Sequence, residues 1–217
     1  MIGVVIPAHN EESLLEECLA SVVRASIHPA LLGEDVRSVV VLDDCTDGSA
    51  RVARRWGVNT LCVEARNVGQ ARALGCGVLR AQGARWLANT DADSRVFPDW
   101  LAVQLALDVD VVCGVVEVGD WSPHSARARR RYESAYQDID GHSHIHGANL
   151  GVRTRAYVGA GGFPPLSAHE DVALVDSLRR SGARIAWSAR ARVLTSARRD
   201  ARARGGFGDY LNGLEVD

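Results

Sequence analysis

Apolar residues in this chain fall into short unbroken runs, separated by longer stretches in which they recur every three or four positions. Residues 2–7 (IGVVIP) form a β-branched run closed by proline, the pattern of a strand buried on both faces. Leu14, Leu15, Cys18, Leu19, Val22 and Val23 then mark one face of a helix over 11–26. The alternation continues. Strands are predicted at 36–42, 60–63 and 85–89, with helices at 50–56 and 69–81 between them. Pro98 suits the first turn of a helix reaching 107, and 109–118 reads as a further strand. Beyond that the pattern loosens. The polar stretch 119–143 predicts helix plus loop, followed by a strand near 148–153, a Gly-rich GAGGFPP turn, a helix over 170–181 and a strand near 184–187. Few apolar residues follow Arg198, which predicts a mobile basic tail over 198–217. Strands alternating with helices of this length imply an α/β fold, a mostly parallel sheet covered by helices on both faces. With 217 residues, no internal repeat and no linker, one domain is expected.

Composition narrows this picture only slightly. The chain is 47% hydrophobic and 24% charged, with a net charge of −2, so the whole is no polyanion binder and nucleic acid is not an expected partner. Positive charge comes entirely from arginine. One cluster is Arg127, Arg129, Arg130 and Arg131; another is Arg184, Arg190, Arg192, Arg198, Arg199, Arg202 and Arg204. Such clusters are either a solvated face or a surface toward phosphate or anionic lipid. Five scattered cysteines without a C-x-x-C pair fit a reducing compartment better than a disulfide framework or a zinc site. The start MIGVVIPAHNEE lacks the basic leader of a signal peptide, and no run approaches the roughly 20 apolar residues of a spanning helix. A cytoplasmic protein is expected, with a homodimer left open.

Ligands of parallel α/β sheets bind beyond the carboxyl ends of the strands. In this chain those ends carry Ala8-His9-Asn10-Glu11, Asp43-Asp44-Cys45-Thr46-Asp47, Arg66-Asn67 and Asp91-Ala92-Asp93. Carboxylates gathered on one edge repel unless a cation or hydrogen-bond donors offset them. Asp91 and Asp93 leave their strand two residues apart and offer hard oxygen ligands suited to Mg²⁺ or Mn²⁺. Arg66, Asn67 and Arg72 flank Gly69, a position where the backbone either approaches a ligand or simply opens a helix. No P-loop or dinucleotide fingerprint is present.

Taken in order, VVIPAHNEE, VVVLDDCTDGS, ARNVGQARALG, NTDADSRVFPDWL, HGANLGVRTRAYVGAGGF and HEDVALVDSL resemble glycosyltransferase family 2 with the GT-A fold. The resemblance implies a single GT-A domain, with a nucleotide-binding half over about 1–93 and an acceptor half over about 94–197. It implies that Pro7, Ala8, Asn10 and Glu11 belong to the first nucleotide-binding loop. It implies that Asp43 reads the base, that Asn67 and Arg72 touch base and diphosphate, and that Asp91 lies near ribose and sugar. Asp93, with Asp91, would hold the metal, Mg²⁺ or Mn²⁺. Asp171 in His169-Glu170-Asp171 matches the catalytic base, following the turn at Gly161, Gly162 and Phe163. The implied reaction moves a sugar, with inversion, from a UDP- or GDP-sugar to a hydroxyl of a small-molecule or lipid-linked acceptor.

Other segments leave alternatives open. Acids at a helix start also serve as caps, which applies to Glu170 and Asp171. His142, His144 and His146 alternate at period two, as a metal site, an acceptor-binding face or a plain polar loop would. The family's late metal-binding histidine has no counterpart after His169, so His146 or water is left to complete the shell. The tail resembles a segment that closes over the diphosphate, making Thr195, Ser196, Arg198 and Arg199 candidate phosphate contacts. A pyrophosphorylase is disfavoured because the first loop has no Gly and the chain has no Lys. A non-catalytic nucleotide-sugar binder is the other alternative.

Overall fold

The computed structural model describes residues 1–202 and 205–216; Arg204, counted above among the basic residues, lies outside them. Eight strands form one sheet: β1 (Ile2–Ala8), β2 (Val36–Asp43), β3 (Asn59–Val63), β4 (Trp86–Asn89), β5 (Ser94–Val96), β6 (Val111–Val118), β7 (Leu150–Arg153) and β8 (Ile185–Thr195). Their spatial order is β3-β2-β1-β4-β7-β6-β8-β5. Six of them share one direction; β7 runs against β4 and β6, and β5 against β8. The mostly parallel sheet expected from the alternation is present.

Both faces of the sheet are buried, which explains why its inner strands read as solid apolar runs. Ile2, Val4 and Ile6 pack with Leu15, Cys18, Leu19 and Val22 of α1 (Leu15–Ser26), with α2 (Ser49–Arg55) and with α4 (Trp100–Ala106). On the other face Val5, Val39 and Leu87 meet Cys76 and Leu79 of α3 (Val68–Ala81) and Leu174 and Leu178 of α7 (Glu170–Arg180). The short α6 (Thr154–Gly159) completes that layer through Tyr157. No helix among the described residues is long and apolar enough to cross a membrane.

Besides α6, to which the pattern-based reading assigned no element, the structure departs from that reading at three places. Strand β8 extends to Thr195, well beyond the predicted 184–187, although Ser188, Arg190 and Arg192 interrupt its apolar run. Its register against β6 jumps between Gly114↔Ser188 and Val115↔Arg192, which leaves 189–191 as an insertion. Asn149 sustains this irregularity: its amide donates to the carbonyls of Val115 and Ala191, both at 2.8 Å, and accepts from Trp100 Nε1 at 2.8 Å. Strand β5 was not predicted at all. Three residues are too few for a periodic signal, and its partner lies a hundred positions away. The third departure is the tail. Residues 207–213, expected to be mobile, form α8 (Phe207–Gly213), whose Leu211 is fully buried beside Tyr132 and Ala197. Helix α5 (Ala126–Ala135) supplies that support by burying Ala128 and Tyr132, while Arg127, Arg129 and Arg130 face solvent.

Candidate active site

The parallel strands end along one edge, and a cleft of about 850 Å³ opens there. Its walls include Pro7, Ala8, Glu11, Asp43, Asn67, Arg72, Asp91, Asp93, Asp171 and Arg198. Of the residues expected at the site, Asn10 and Arg199 are not on its wall. Asn10 takes a left-handed conformation (φ 55°) and turns its side chain to the β2–α2 loop, where Oδ1 accepts from Thr46 N at 2.8 Å and Asp47 N at 3.2 Å.

Two of the expected contact residues are largely occupied in shaping the walls. Asp43 ends β2 and accepts three backbone N–H groups, from Ala65 at 2.7 Å, Arg66 at 2.9 Å and Asn67 at 2.9 Å, which folds the β3–α3 loop over the cleft. Asn67 caps α3 by accepting from Gln70 N at 2.9 Å and donates to Pro165 O at 3.0 Å. Gly69 has no Cβ because the carbonyls of Pro164 and Leu166 approach it; the close contact is with the chain itself.

Charge in the cleft is organised around two guanidiniums, one buried and one half-buried. Arg72, on α3, donates through Nε to Glu170 at 2.9 Å and through Nη2 to Asp91 at 2.5 Å. Burial by itself would lower its pKa, but Asp91, Glu170 and Asp171 together hold it above the ordinary value. Its Nη1 is buried without a partner, an uncommon condition for a charged donor. Arg198 forms a bidentate pair with Glu11, at 2.6 and 2.5 Å, and lies 3.1 Å from Asp93. The pairing of Ser94 with Thr195 in β5 and β8 brings these partners together; the two hydroxyls are 2.9 Å apart. Thr195 and Ser196 also line the cleft, whereas Arg199 turns away to Pro123 O and Glu215.

Burial drives the Asp93 carboxyl up to about 7, a rise that Arg198 opposes and that Asp91 and Glu11 add to. A further positive group beside Asp93 would favour its ionisation. Among the described residues no three His, Cys, Asp or Glu side chains converge as a metal cage. The donor set is nevertheless right for a hard cation that shares phosphate oxygens and keeps water, because Mg²⁺ and Mn²⁺ need only one or two carboxylates in such sites.

Asp171 reaches the cleft wall from the first turn of α7. Its Oδ2 accepts from Gly147 N at 2.6 Å and its Oδ1 from Val172 N at 2.8 Å. Glu170 is buried, and desolvation raises its pKa against the pull of Arg72, the side chain it orients. Sequence reading left Glu170 as a capping acid and assigned nothing to His9, whose Nδ1 is 2.7 Å from Asp43 O on the cleft wall. Nor did any pattern announce Tyr136, Phe207 and Tyr210, which reach the same wall from α5 and α8. The three histidines form a stack with Tyr136 rather than a metal cluster. His144 lies parallel on Tyr136 at 4.0 Å, with His142 and His146 at 5.4 and 5.8 Å from His144.

Acidic strand-end loops, carboxylate-paired arginines and Asp171 thus share one sheet edge on a fold of the GT-A type. Solved structures share the fold. The S. aureus TarS fragment 1–349 in complex with UDP-GlcNAc superposes with a TM-score of 0.68 at 16% identity, covering 95% of this chain and 61% of its own. Mannosyltransferase PcManGT from Pyrobaculum calidifontis, in complex with GDP-Man and Mn²⁺, gives 0.67 at 20% identity over 93% and 58%. Glucosyl-3-phosphoglycerate synthase from Mycobacterium tuberculosis gives 0.58 at 22% over 99% and 76%. The chain therefore spans about 60% of the length of TarS 1–349. No match is found among curated proteins. The sequence model described as glycosyl transferase family 2 matches residues 3–160, and the chain belongs to that family.

Proposed function

We propose that this chain is an inverting glycosyltransferase that moves a sugar from a nucleotide-diphospho-sugar, UDP- or GDP-linked, to an acceptor hydroxyl. The observation that carries the reading is the arrangement of the cleft. Glu11, Asp43, Asp91, Asp93, Arg72, Arg198 and Asp171 all line one cleft, with Asp171 held by Gly147 N beside Arg72. Structural relatives in complex with UDP-GlcNAc and GDP-Man with Mn²⁺ support the choice of ligand class.

In this reading Pro7, Ala8 and Glu11 receive the nucleoside, and Asp43 fixes the loop that frames its base. The unpartnered Nη1 of Arg72 supplies a charged donor for diphosphate or sugar oxygen. Asp93, with Asp91, would hold Mg²⁺ or Mn²⁺, which neutralises charge on the departing diphosphate. Arg198 would exchange its carboxylate partners for phosphate oxygens. Asn10 acts indirectly by holding the β2–α2 loop. Asp171 accepts the acceptor's proton as that oxygen attacks the anomeric carbon opposite the diphosphate, through an oxocarbenium-like transition state. The Gly147 N–H, donating to Oδ2 at 2.6 Å, holds that oxygen in place. The setting we propose is cytoplasmic, in keeping with five free cysteines.

Thermal unfolding with UDP, GDP and their sugars, each with and without Mn²⁺, tests the donor site, since a ligand of the folded state raises the midpoint. A metal-dependent shift confined to one nucleotide family is expected. Stabilisation without transfer or donor hydrolysis across many acceptors would favour a non-catalytic nucleotide-sugar binder. No stabilisation by any of them would refute the donor site.

A further inference from the structure

The cleft has a second half whose chemistry differs from the first. Val116, Tyr136, His144, His146, Phe207 and Tyr210 line it. Among the described residues the arginines of the cleft sit elsewhere. Arg72 and Arg198 are paired with carboxylates, Arg66 is paired with Asp44, and Arg202 lies beside Asp200 and Asn10 O. Among the described residues, what lines this half is aromatic or apolar and carries no arginine.

Hydrogen bonding leaves one nitrogen of each ring free. Val116 N donates to the Tyr136 oxygen at 2.9 Å, and that oxygen is hydrogen-bonded to His146 Nε2 at 3.0 Å. Gln137 N donates to His144 Nε2 at 3.0 Å, which places the proton of the neutral His144 ring on Nδ1. Among the described residues the second nitrogen of each ring, Nδ1, has no partner in the protein. Stacking holds both rings in place: Tyr136 is sandwiched between Tyr132 at 4.8 Å and His144 at 4.0 Å. Desolvation, with the neighbouring imidazoles, pushes His146 down to about 3 and lowers His144, so both rings are neutral near pH 7. Phe207 stands edge-on to His146 at 5.7 Å, and Tyr210, 46% exposed, lies 6.2 Å from Phe207. These two rings offer apolar surface beside neutral imidazole nitrogens, the mixture that holds an organic ring with hydroxyl groups. Asp171 lies at the seam, since its partner Gly147 follows His146 and packs against Arg72, where a Cβ would come within 2.5 Å of Nη2.

We propose that this half is the acceptor subsite and that it takes an uncharged, ring-bearing polyol, a glycoside, in preference to a phosphorylated acceptor. A pyranose presents its C–H face to Phe207 and Tyr210 and its hydroxyls to the free imidazole nitrogens, leaving one hydroxyl toward Asp171. The role as acceptor rests on the transferase reading; the binding chemistry does not.

Saturation-transfer NMR and titration on the full chain would use methyl glucoside, an aryl glucoside and the phosphate monoester of methyl glucoside, with and without UDP and Mn²⁺. Both neutral glucosides should bind, and the monoester more weakly. Tyr210→Ala and Phe207→Ala should each weaken glucoside binding about tenfold, without altering stabilisation by UDP. Tyr210 is exposed enough that its replacement leaves the fold intact. The proposal is overturned if neither glucoside binds, if the monoester binds as tightly, or if both variants bind glucoside like the parent. Glucoside binding through these residues in a chain that ignores UDP and GDP would sink the transferase reading and leave the subsite standing.

Discussion

Replacing Arg198 by Gln probes the electrostatics of the donor side without filling or emptying much space. The guanidinium makes two short bonds to Glu11, whose side chain is only 5% exposed, and a third contact to Asp93. Removing one member of a buried ion pair costs about 3–5 kcal/mol because the other charge is left without compensation. Arg198 is itself 24% exposed, so solvent screens part of this, and about 2 kcal/mol is a realistic loss for the ligand-free protein. In a domain of this size that corresponds to a fall in Tm of roughly 4–8 °C. The same substitution removes the positive charge that competes with a cation for Asp93. Mn²⁺ alone should therefore stabilise Arg198→Gln more than it stabilises the parent. Calorimetry on both proteins with and without Mn²⁺ reads both effects, and a cycle with Glu11→Gln isolates the pair. If the variant melts with the parent, or gains no more from Mn²⁺, then Arg198 does not hold the carboxylates together and the picture of exchange with a cation fails.

Four further outcomes are expected. Asp171→Asn should fold normally, bind UDP or GDP like the parent and lose transfer by a factor on the order of 10² or more; near-parental turnover would remove Asp171 as the base. Asn149→Leu leaves Trp100 Nε1 and the carbonyls of Val115 and Ala191 without their partner, and chemical denaturation should show a loss of about 3 kcal/mol. Gly147→Ala puts a methyl group within 2.5 Å of Arg72 Nη2, and overpacking of this kind costs about 1–3 kcal/mol; nucleotide stabilisation should fall with it. His146 is neutral in the fold, with its pKa near 3 against 6.5 in an unfolded chain. Its contribution is therefore complete above 6.5 and lost as pH falls toward 3, amounting to about 2 kcal/mol at pH 5. The stability of His146→Phe should fall less steeply over that range, and equal slopes would refute the assignment.

Sequence alone determined the α/β class, the order of the inner strands and helices, and the loops that carry the chemistry. Each of these rests on local periodicity or on residues adjacent in the chain. Solid apolar runs such as 2–7 and 36–42 can bury both faces only in a covered parallel sheet, and such a sheet places 8–11, 43–47 and 91–93 on one edge. Which residues meet across that edge was not legible in the same way. Arg72 reaches Glu170 across 98 positions and Arg198 reaches Glu11 across 187, and no local pattern encodes pairings of that range. Asn10 shows the converse: it sits in the expected loop, yet one left-handed φ turns its amide to Thr46 and Asp47. The neutral half of the cleft needed tertiary structure most of all. Tyr136, His144, Phe207 and Tyr210 share no periodicity, and only the docking of α8 onto Tyr132 brings their rings to one wall, because burial of apolar surface there outweighs the cost of ordering a polar tail.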